Sequence, residues 1–314
     1  MIKQRTVLVL GAGASQPYNF PLGSALVDKI TAEIGVGATS SLRARLEQLG
    51  YDRKLSKEFA SALRGARPYS IDAFIETRPK FREIAKAAIA DVLLRAEASS
   101  TVSTADASVD WYRYLFNKFL FLRNIDYYSA QAKKLTVVTF NFDRSFEYAL
   151  FQNVRYGFGL EADVARNVAM QIDIHHVHGL LGEPDWMATD KSKATPYGVT
   201  DEEPLIDATR RAVQSIKIVD EEIEESVLED VEVALKQAVY VYFIGFGFDE
   251  RNLSKLRSVD GLQHANAVRG TALGWSAAEC TPIHRHFQGG RGISLYQTDD
   301  AKGFLAQHAE SLFD

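Results

Sequence analysis

Four short segments of the sequence carry residues that could bind a ligand or act on one. Each directly follows an aliphatic or aromatic run that is typical of a strand buried on both faces. The segments are Gly11-Ala12-Gly13-Ala14-Ser15, Asn141-Phe142-Asp143, His178-Gly179 and the stretch from Gly245 to Asn252. Because the carboxyl ends of parallel strands meet at one edge of a sheet, we expect the four segments to lie together.

The glycine-rich segment has the composition of a phosphate-binding turn. Gly11 and Gly13 allow a sharp turn and a close approach to a ligand, and we expect the following helix to present free N–H groups to a phosphate. The third glycine of the dinucleotide-binding motif is missing, since Gln16 stands there, and no acidic residue ends a clear second strand. This excludes the dehydrogenase motif and leaves a phosphate-binding turn, or a tight turn without a ligand.

The polar residues of the other segments allow a catalytic or a structural interpretation. Asn141 and Asp143 could cap the next helix or act on a ligand, and Asp249 could likewise be a helix cap. His178 could be a base or a structural histidine. Together with His175 and His176 it could also form a metal site. We expect His176 and His178 to share one face of a strand with no carboxylate or cysteine nearby, so no metal is expected.

Composition narrows the class of protein. The 314 residues include 36 Lys and Arg against 41 Asp and Glu, a formal charge of −5, which argues against nucleic acid as a direct ligand. Cys280 is the single cysteine, so neither an intrachain disulfide nor a multi-cysteine zinc site can form. The first apolar run is too short for a secretory signal, and no later run has membrane length. We therefore expect a cytoplasmic protein that does not bind membranes.

The alternation of strand-like and helix-like segments predicts an α/β fold, Rossmann-like and doubly wound, with a mostly parallel sheet. We expect one domain over residues 1–314 with a helical insertion at about 40–129. Strands are predicted at Thr6–Leu10, Leu135–Phe140, Ile172–Val177, Val239–Ile244, Val268–Leu273 and Gly292–Tyr296. Helices are predicted at Pro21–Ile34, over most of Ser40–Ala98, and at Trp111–Leu122, Asp143 to about Asn153, Ala277–Phe287 and Ala301–Leu312, with two more within Asp201–Gln237.

The order of the motifs GAGAS, TFNFD, HVHG and GFGF resembles the sirtuin superfamily, in particular its bacterial sirtuin-like branch. The resemblance spans residue 6 to about residue 300 and implies NAD as the substrate. It places the pyrophosphate at Gly11 to Ser15, and a second ribose and phosphate loop at Gly245 and Gly247. It also implies that Asn141 and Asp143 lie beside the nicotinamide ribose and that His178 is the catalytic base.

One departure from the family decides between activities. Sirtuin protein deacylases carry a zinc module with four cysteines, which this chain cannot build. The resemblance therefore favours hydrolysis of NAD to nicotinamide and ADP-ribose over deacylation. Members of the sirtuin-like branch include NAD-depleting effectors of antiphage defence, which implies a homo-oligomer or a separate activating partner such as an Argonaute-like protein or a hexameric ATPase. A sensor that binds NAD without cleaving it and an interaction subunit are the alternatives.

Overall fold

The computed structural model describes residues 2–34, 41–119, 124–218, 221–257, 260–309 and 312. These residues form a six-stranded parallel sheet in the order β3-β2-β1-β4-β5-β6, which is the order of doubly wound dinucleotide-binding folds. The strands are β1 (Thr6–Leu10), β2 (Leu135–Thr139), β3 (Asp173–His176), β4 (Tyr240–Ile244), β5 (Ala267–Thr271) and β6 (Ser294–Tyr296). The prediction of an α/β, Rossmann-like fold is confirmed.

The strands form where they do because each can bury both faces. All five residues of β1 are buried; Leu8 and Leu10 point into one apolar core, whereas Val7 and Val9 point into the other. Helices therefore have to cover both sides of the sheet. The larger of the two cores includes the helices that connect β1 to β2.

Eight α-helices occupy the described residues between β1 and β2, where the sequence predicts a helical insertion. They are α1 (Ala12–Ser15), α2 (Gly23–Ile34), α3 (Ser41–Gln48), α4 (Arg53–Ala66), α5 (Ile71–Glu76), α6 (Arg82–Ala98), α7 (Trp111–Phe119) and α8 (Ile125–Ala132). Helix α6 is buried on nearly all sides and packs against α2 and α3. It is the central helix of this region.

The remaining helices follow β2. They are α9 (Ser145–Phe158), α10 (Ala162–Ala169), α11 (Glu202–Ser215), α12 (Glu225–Gln237), α13 (Glu250–Lys255), α14 (Ala277–His286) and α15 (Ala301–His308). The two helices predicted within Asp201–Gln237 are confirmed as α11 and α12. Helix α11 packs on α6, so the two helical regions meet on one side of the sheet. No helix in the described ranges is both long enough and apolar enough to cross a bilayer.

The predicted elements are present, but several of their limits are wrong. Helix α9 begins at Ser145 rather than at Asp143 and continues to Phe158. The predicted Ser40–Ala98 stretch is divided into four α-helices and a short 3-10 turn. Ser40 itself and the end of the predicted Trp111–Leu122 helix lie outside the described residues.

Candidate functional site

A cavity of about 1190 Å³ opens at the carboxyl ends of the strands. Gly11, Asn141, His178 and Gly245 line it, so residues from all four sequence motifs meet at one site. The strand order reverses between β1 and β4, which is where doubly wound sheets bind ligands. The expectation that the four segments lie together is confirmed.

The glycines of the first turn are required by the loop that follows β4. A Cβ atom on Gly11 would lie 2.6 Å from the Gly245 carbonyl oxygen, and one on Gly13 would lie 2.8 Å from the Gly245 Cα. Gly245 itself has a φ of +59°, and a Cβ there would lie 2.1 Å from the Ala14 nitrogen. Packing of one loop on the other therefore explains these glycines without a ligand.

The expectation of free N–H groups at this turn is largely wrong. The Gly11 N–H donates to the Ile244 carbonyl at 3.1 Å, and the Gly13 N–H donates to the Gly245 carbonyl at 2.9 Å. The Ala14 N–H donates to the Gly11 carbonyl at 2.8 Å, and helix α1 is only four residues long. Three N–H groups of this turn are therefore already bonded within the protein and are not free for a phosphate.

Only part of the predicted cofactor-binding segment lines the cavity. Gly11, Ala12, Gly13, Gly245 and Gly247 do so, whereas Ala14 and Ser15 are buried behind the wall. The Ser15 hydroxyl donates to Asp143 Oδ1 at 3.1 Å and lies 3.2 Å from the Ser145 hydroxyl. Ser15 therefore joins the first turn to the second rather than facing a ligand.

Asn141 is fixed at three of its atoms. Its side-chain Nδ2 donates to the Gly11 carbonyl at 3.0 Å and to Ser15 Oγ at 3.1 Å. Its backbone N–H donates to Thr139 Oγ1 at 3.1 Å, and its carbonyl oxygen lies 3.1 Å from His176 Nδ1. Asn141 is thus held in one orientation at the cavity wall before any ligand binds.

Asp143 is a buried carboxylate on the same wall. Burial raises its pKa, and hydrogen bonds from Ser145 and Ser15 partly offset that rise. The N-cap residue of α9 is Arg144 rather than Asp143, but the N–H of Ser145, the first residue of the helix, donates to Asp143 Oδ1 at 3.1 Å. The residue that accepts this bond also lines the cavity.

His178 lies at the cavity wall against helix α13. The His178 Nε2 atom is 3.1 Å from Asn252 Oδ1, while its Nδ1 makes no hydrogen bond to any described residue. Burial, together with the positive charge of Lys255, lowers the pKa of His178 to about 4. The imidazole is therefore neutral at pH 7. Because Nε2 faces an amide oxygen, Nε2 carries the ring proton and the buried Nδ1 is the nitrogen that can accept one.

Arg144 anchors the turn from behind. Its guanidinium forms a fully buried ion pair with Glu97 of α6 at 2.5 Å. It also donates to the carbonyls of Gly182, Thr195 and Pro196 in the following long loop. One side chain thereby fixes the Asn141–Ser145 turn, the helical insertion and that loop relative to one another.

The expectation that His176 has no carboxylate nearby is wrong. His176 Nε2 contacts Glu147 Oε1; Glu147 is buried and His176 is partly buried. No group of three or more His, Cys, Asp and Glu side chains that could hold a metal ion occurs in the described ranges. His176 is the last residue of β3 and lies next to α9, and Glu147 belongs to the first turn of that helix.

Charged groups around the cavity are predominantly acidic. Five aspartates line it among the described residues, against the guanidiniums of Arg78 and Arg251. Arg251 is engaged by Asp249 at 2.9 Å and by Glu76 at 2.9 Å. Arg78 is exposed at the rim, over the ring of Phe74. Among the described lining residues, formal negative charge therefore exceeds formal positive charge.

Sequence reasoning missed two supporting residues. Asn252 contacts His178 across 74 positions of sequence, and Thr271 Oγ1 accepts the Gly245 N–H at 2.8 Å. Asn252 lies within the segment from Gly245 to Asn252 that the sequence places at the site, so its position could have indicated a role there. Nothing in the sequence singles out Thr271, because its role depends on the pairing of β4 with β5.

No protein-family model matches the chain, and a search of curated proteins gives no match.

Proposed function

We propose that the chain binds NAD in this cavity and hydrolyses the bond between nicotinamide and ribose, releasing nicotinamide and ADP-ribose. The observation that carries the proposal is the neutral, buried His178 on the same cavity wall as Asn141 and Asp143. A base, an amide and a carboxylate around one cavity form a set that can activate water beside a cationic sugar.

Cleavage of this bond leaves positive charge on the ribose, in a state similar to that of glycoside hydrolysis. The acidic lining of the cavity supports that charge and the positive nicotinamide ring. In the proposed step, water attacks the anomeric carbon, nicotinamide leaves with the bonding electron pair, and His178 accepts a proton from the water.

The other residues orient the substrate. Asn141 is proposed to hold the ribose or the attacking water, and Asp143 to support the carboxamide or the developing charge. The Gly11–Gly13 face and Gly247 line the side where we place the pyrophosphate, with Arg78 as the available cation at the rim. The resemblance to sirtuin-like effectors supports NAD depletion in antiphage defence as the biological setting. It also supports a cytoplasmic oligomer or a separate activating partner.

A second candidate is a sensor that binds NAD without turnover. The pKa of about 4 favours it, because so weak a base accepts a proton from water less readily than an ordinary histidine.

Chromatography of NAD incubated with purified protein tests the proposal. We expect nicotinamide and ADP-ribose from the wild type, and a rate about 10²- to 10⁴-fold lower in His178→Ala, with Asn141→Ala also impaired. His286→Ala, which removes an exposed histidine of α14, is the matched control and should leave the rate unchanged. Equal release by all four proteins would refute the assignment. Calorimetric binding of NAD without release by the wild type would establish the sensor instead.

A further inference from the structure

A second cavity, of about 200 Å³, lies beside the start of β3 and away from the carboxyl ends of the strands. Its walls are mainly apolar and include Leu150, Phe151, Met170, Ile172 and Trp186. The Trp186 ring stacks on Phe151 with 5.5 Å between centroids and 15° between planes. An apolar cavity of this size has room for a molecule with a single aromatic ring.

Glu147 gives this cavity a buried polar group. The residue is 5% exposed and lines the cavity, and its Oε1 contacts His176 Nε2. A buried carboxylate beside stacked aromatic rings favours a planar molecule with N–H donors along one edge. The neighbouring charged groups are those of Asp173 and Arg166, which line the same cavity and offset one another in formal charge.

Glu147 also connects this cavity to the candidate active site. The Asn141 carbonyl can only accept a hydrogen bond, so His176 Nδ1, 3.1 Å away, must carry a proton. His176 Nε2 and Glu147 then share a further proton between them. Although burial alone lowers the pKa of His176, the charge and hydrogen bond of Glu147 raise it. Glu147 thus favours the state of His176 in which Nδ1 carries a proton and donates it to the Asn141 carbonyl.

We propose that the second cavity binds a small planar molecule with N–H donors, and that occupancy is transmitted to Asn141 through Glu147 and His176. A donor that bonds to Glu147 competes with His176 for the carboxylate and weakens the anchor on the Asn141 carbonyl. The binding step is independent of what the chain does to NAD. The expected inhibition rests on the proposed function.

Tryptophan fluorescence tests the binding step, with benzamidine as the probe and benzoate as its control of similar shape. The chain has three tryptophans; Trp111 is fully buried, Trp275 lines the large cavity and Trp186 lines the small one. We expect benzamidine to quench the wild type and Trp275→Phe, but not Trp186→Phe. Benzoate, which has no N–H donor, should give no saturable quenching. Quenching lost only in Trp275→Phe would put the probe in the large cavity and overturn the proposal, as would equal binding of benzoate.

Glu147→Gln tests the role of the carboxylate while keeping the size of the side chain. We expect benzamidine to bind this variant about tenfold more weakly, because a charge-assisted hydrogen bond becomes a neutral one. Calorimetry gives the affinity even if quenching is altered. An unchanged affinity would refute the assignment of Glu147 as the binding group.

The transmission step has a readout that does not require turnover. In protein with ¹⁵N-labelled histidine, the ring nitrogens of His176, identified by their loss in His176→Gln, should shift when benzamidine binds. If the wild type releases nicotinamide, saturating benzamidine should slow that release about fivefold or more. Binding without a shift of the His176 signals would overturn the transmission. A shift in a protein that does not cleave NAD would refute the proposed function alone.

Discussion

The two turns that follow β1 and β2 lie side by side, but they are held by different forces. The turn from Gly11 to Ser15 is fixed by its backbone, which donates hydrogen bonds to Ile244 at the end of β4 and to Gly245 just after it. The two backbones lie so close that Gly11 and Gly13 have no room for a side chain. The turn from Asn141 to Ser145 is fixed by its side chains, which bond to Gly11, Ser15 and Glu97. The glycines of the first turn are therefore explained by the packing of loops, whereas the Asn141–Ser145 turn supplies side chains that can bind or act on a ligand.

Because of this difference, the glycine motif alone does not indicate a phosphate site. A glycine-rich turn after the first strand suggests a phosphate site, yet here close contact with Gly245 accounts for the glycines. Asn141, Asp143 and His178 line the cavity with their orientation already fixed, and the proposed chemistry on NAD depends on them.

Removing Arg144 should break the second turn and give the largest loss. In Arg144→Ala the buried Glu97 carboxylate loses its partner, and we expect the free energy of unfolding to fall by about 3 to 5 kcal/mol. Urea denaturation followed by circular dichroism measures it. The double variant Arg144→Met/Glu97→Met, which leaves no unpaired charge, should lose less. A double variant as unstable as the single one would show that the charge pairing is unimportant.

Filling the space at Gly245 should break the first turn. In Gly245→Ala the new Cβ meets the Ala14 nitrogen in a left-handed backbone conformation, so we expect a loss of about 2 to 4 kcal/mol. Gly247→Ala is the matched control: a Cβ there has nothing within 4 Å, and the change should stay below about 1 kcal/mol. Similar urea midpoints for both variants would contradict the account of loop packing.

Lowering the pH from 6.5 to 4 should reduce the free energy of unfolding through the titration of His178. The pKa of His178 is about 4 in the folded protein and about 6.5 when exposed, so the unfolded chain binds the proton first as pH falls. Stability should be lost progressively from pH 6.5 to 4, by about 3 kcal/mol in total. His178→Gln lacks this contribution, so the difference between its stability curve and that of the wild type isolates it. Parallel curves would show that the pKa of His178 is not lowered.

Cutting the link between the two turns should have the smallest effect. Ser15→Ala removes the donor to Asp143 and the acceptor for Asn141, and we expect a loss of about 1 to 2 kcal/mol. Ser61→Ala, at an exposed position of α4, should change stability by less than about 0.5 kcal/mol. Equal unfolding curves for the two variants would mean that the turns are held independently.

Most of the fold could be predicted because buried parallel strands have a simple pattern. The run at Thr6–Leu10 is aliphatic on both faces, and so its strand limits match the prediction. The start of α9 differs from the prediction because Arg144, not Asp143, is the N-cap residue; Asp143 bonds instead to the Ser145 N–H and to Ser15, which is distant in sequence. The contact of Glu147 with His176 could not be predicted either, since it depends on how β3 packs against α9. Sequence patterns reveal local structure, whereas these contacts form only when the strands assemble.

The position of β1 between β2 and β4 has a consequence for synthesis on the ribosome. The Gly13 N–H finds its acceptor only when Gly245 has been made, after nearly all of the helical regions. Until then one edge of β1 and the glycine turn have no partner from β4. Pairing between segments so far apart in the chain is slow and exposes apolar edges to other chains. We therefore expect nascent chains that end before β4 to depend on chaperones and to lack a formed cavity.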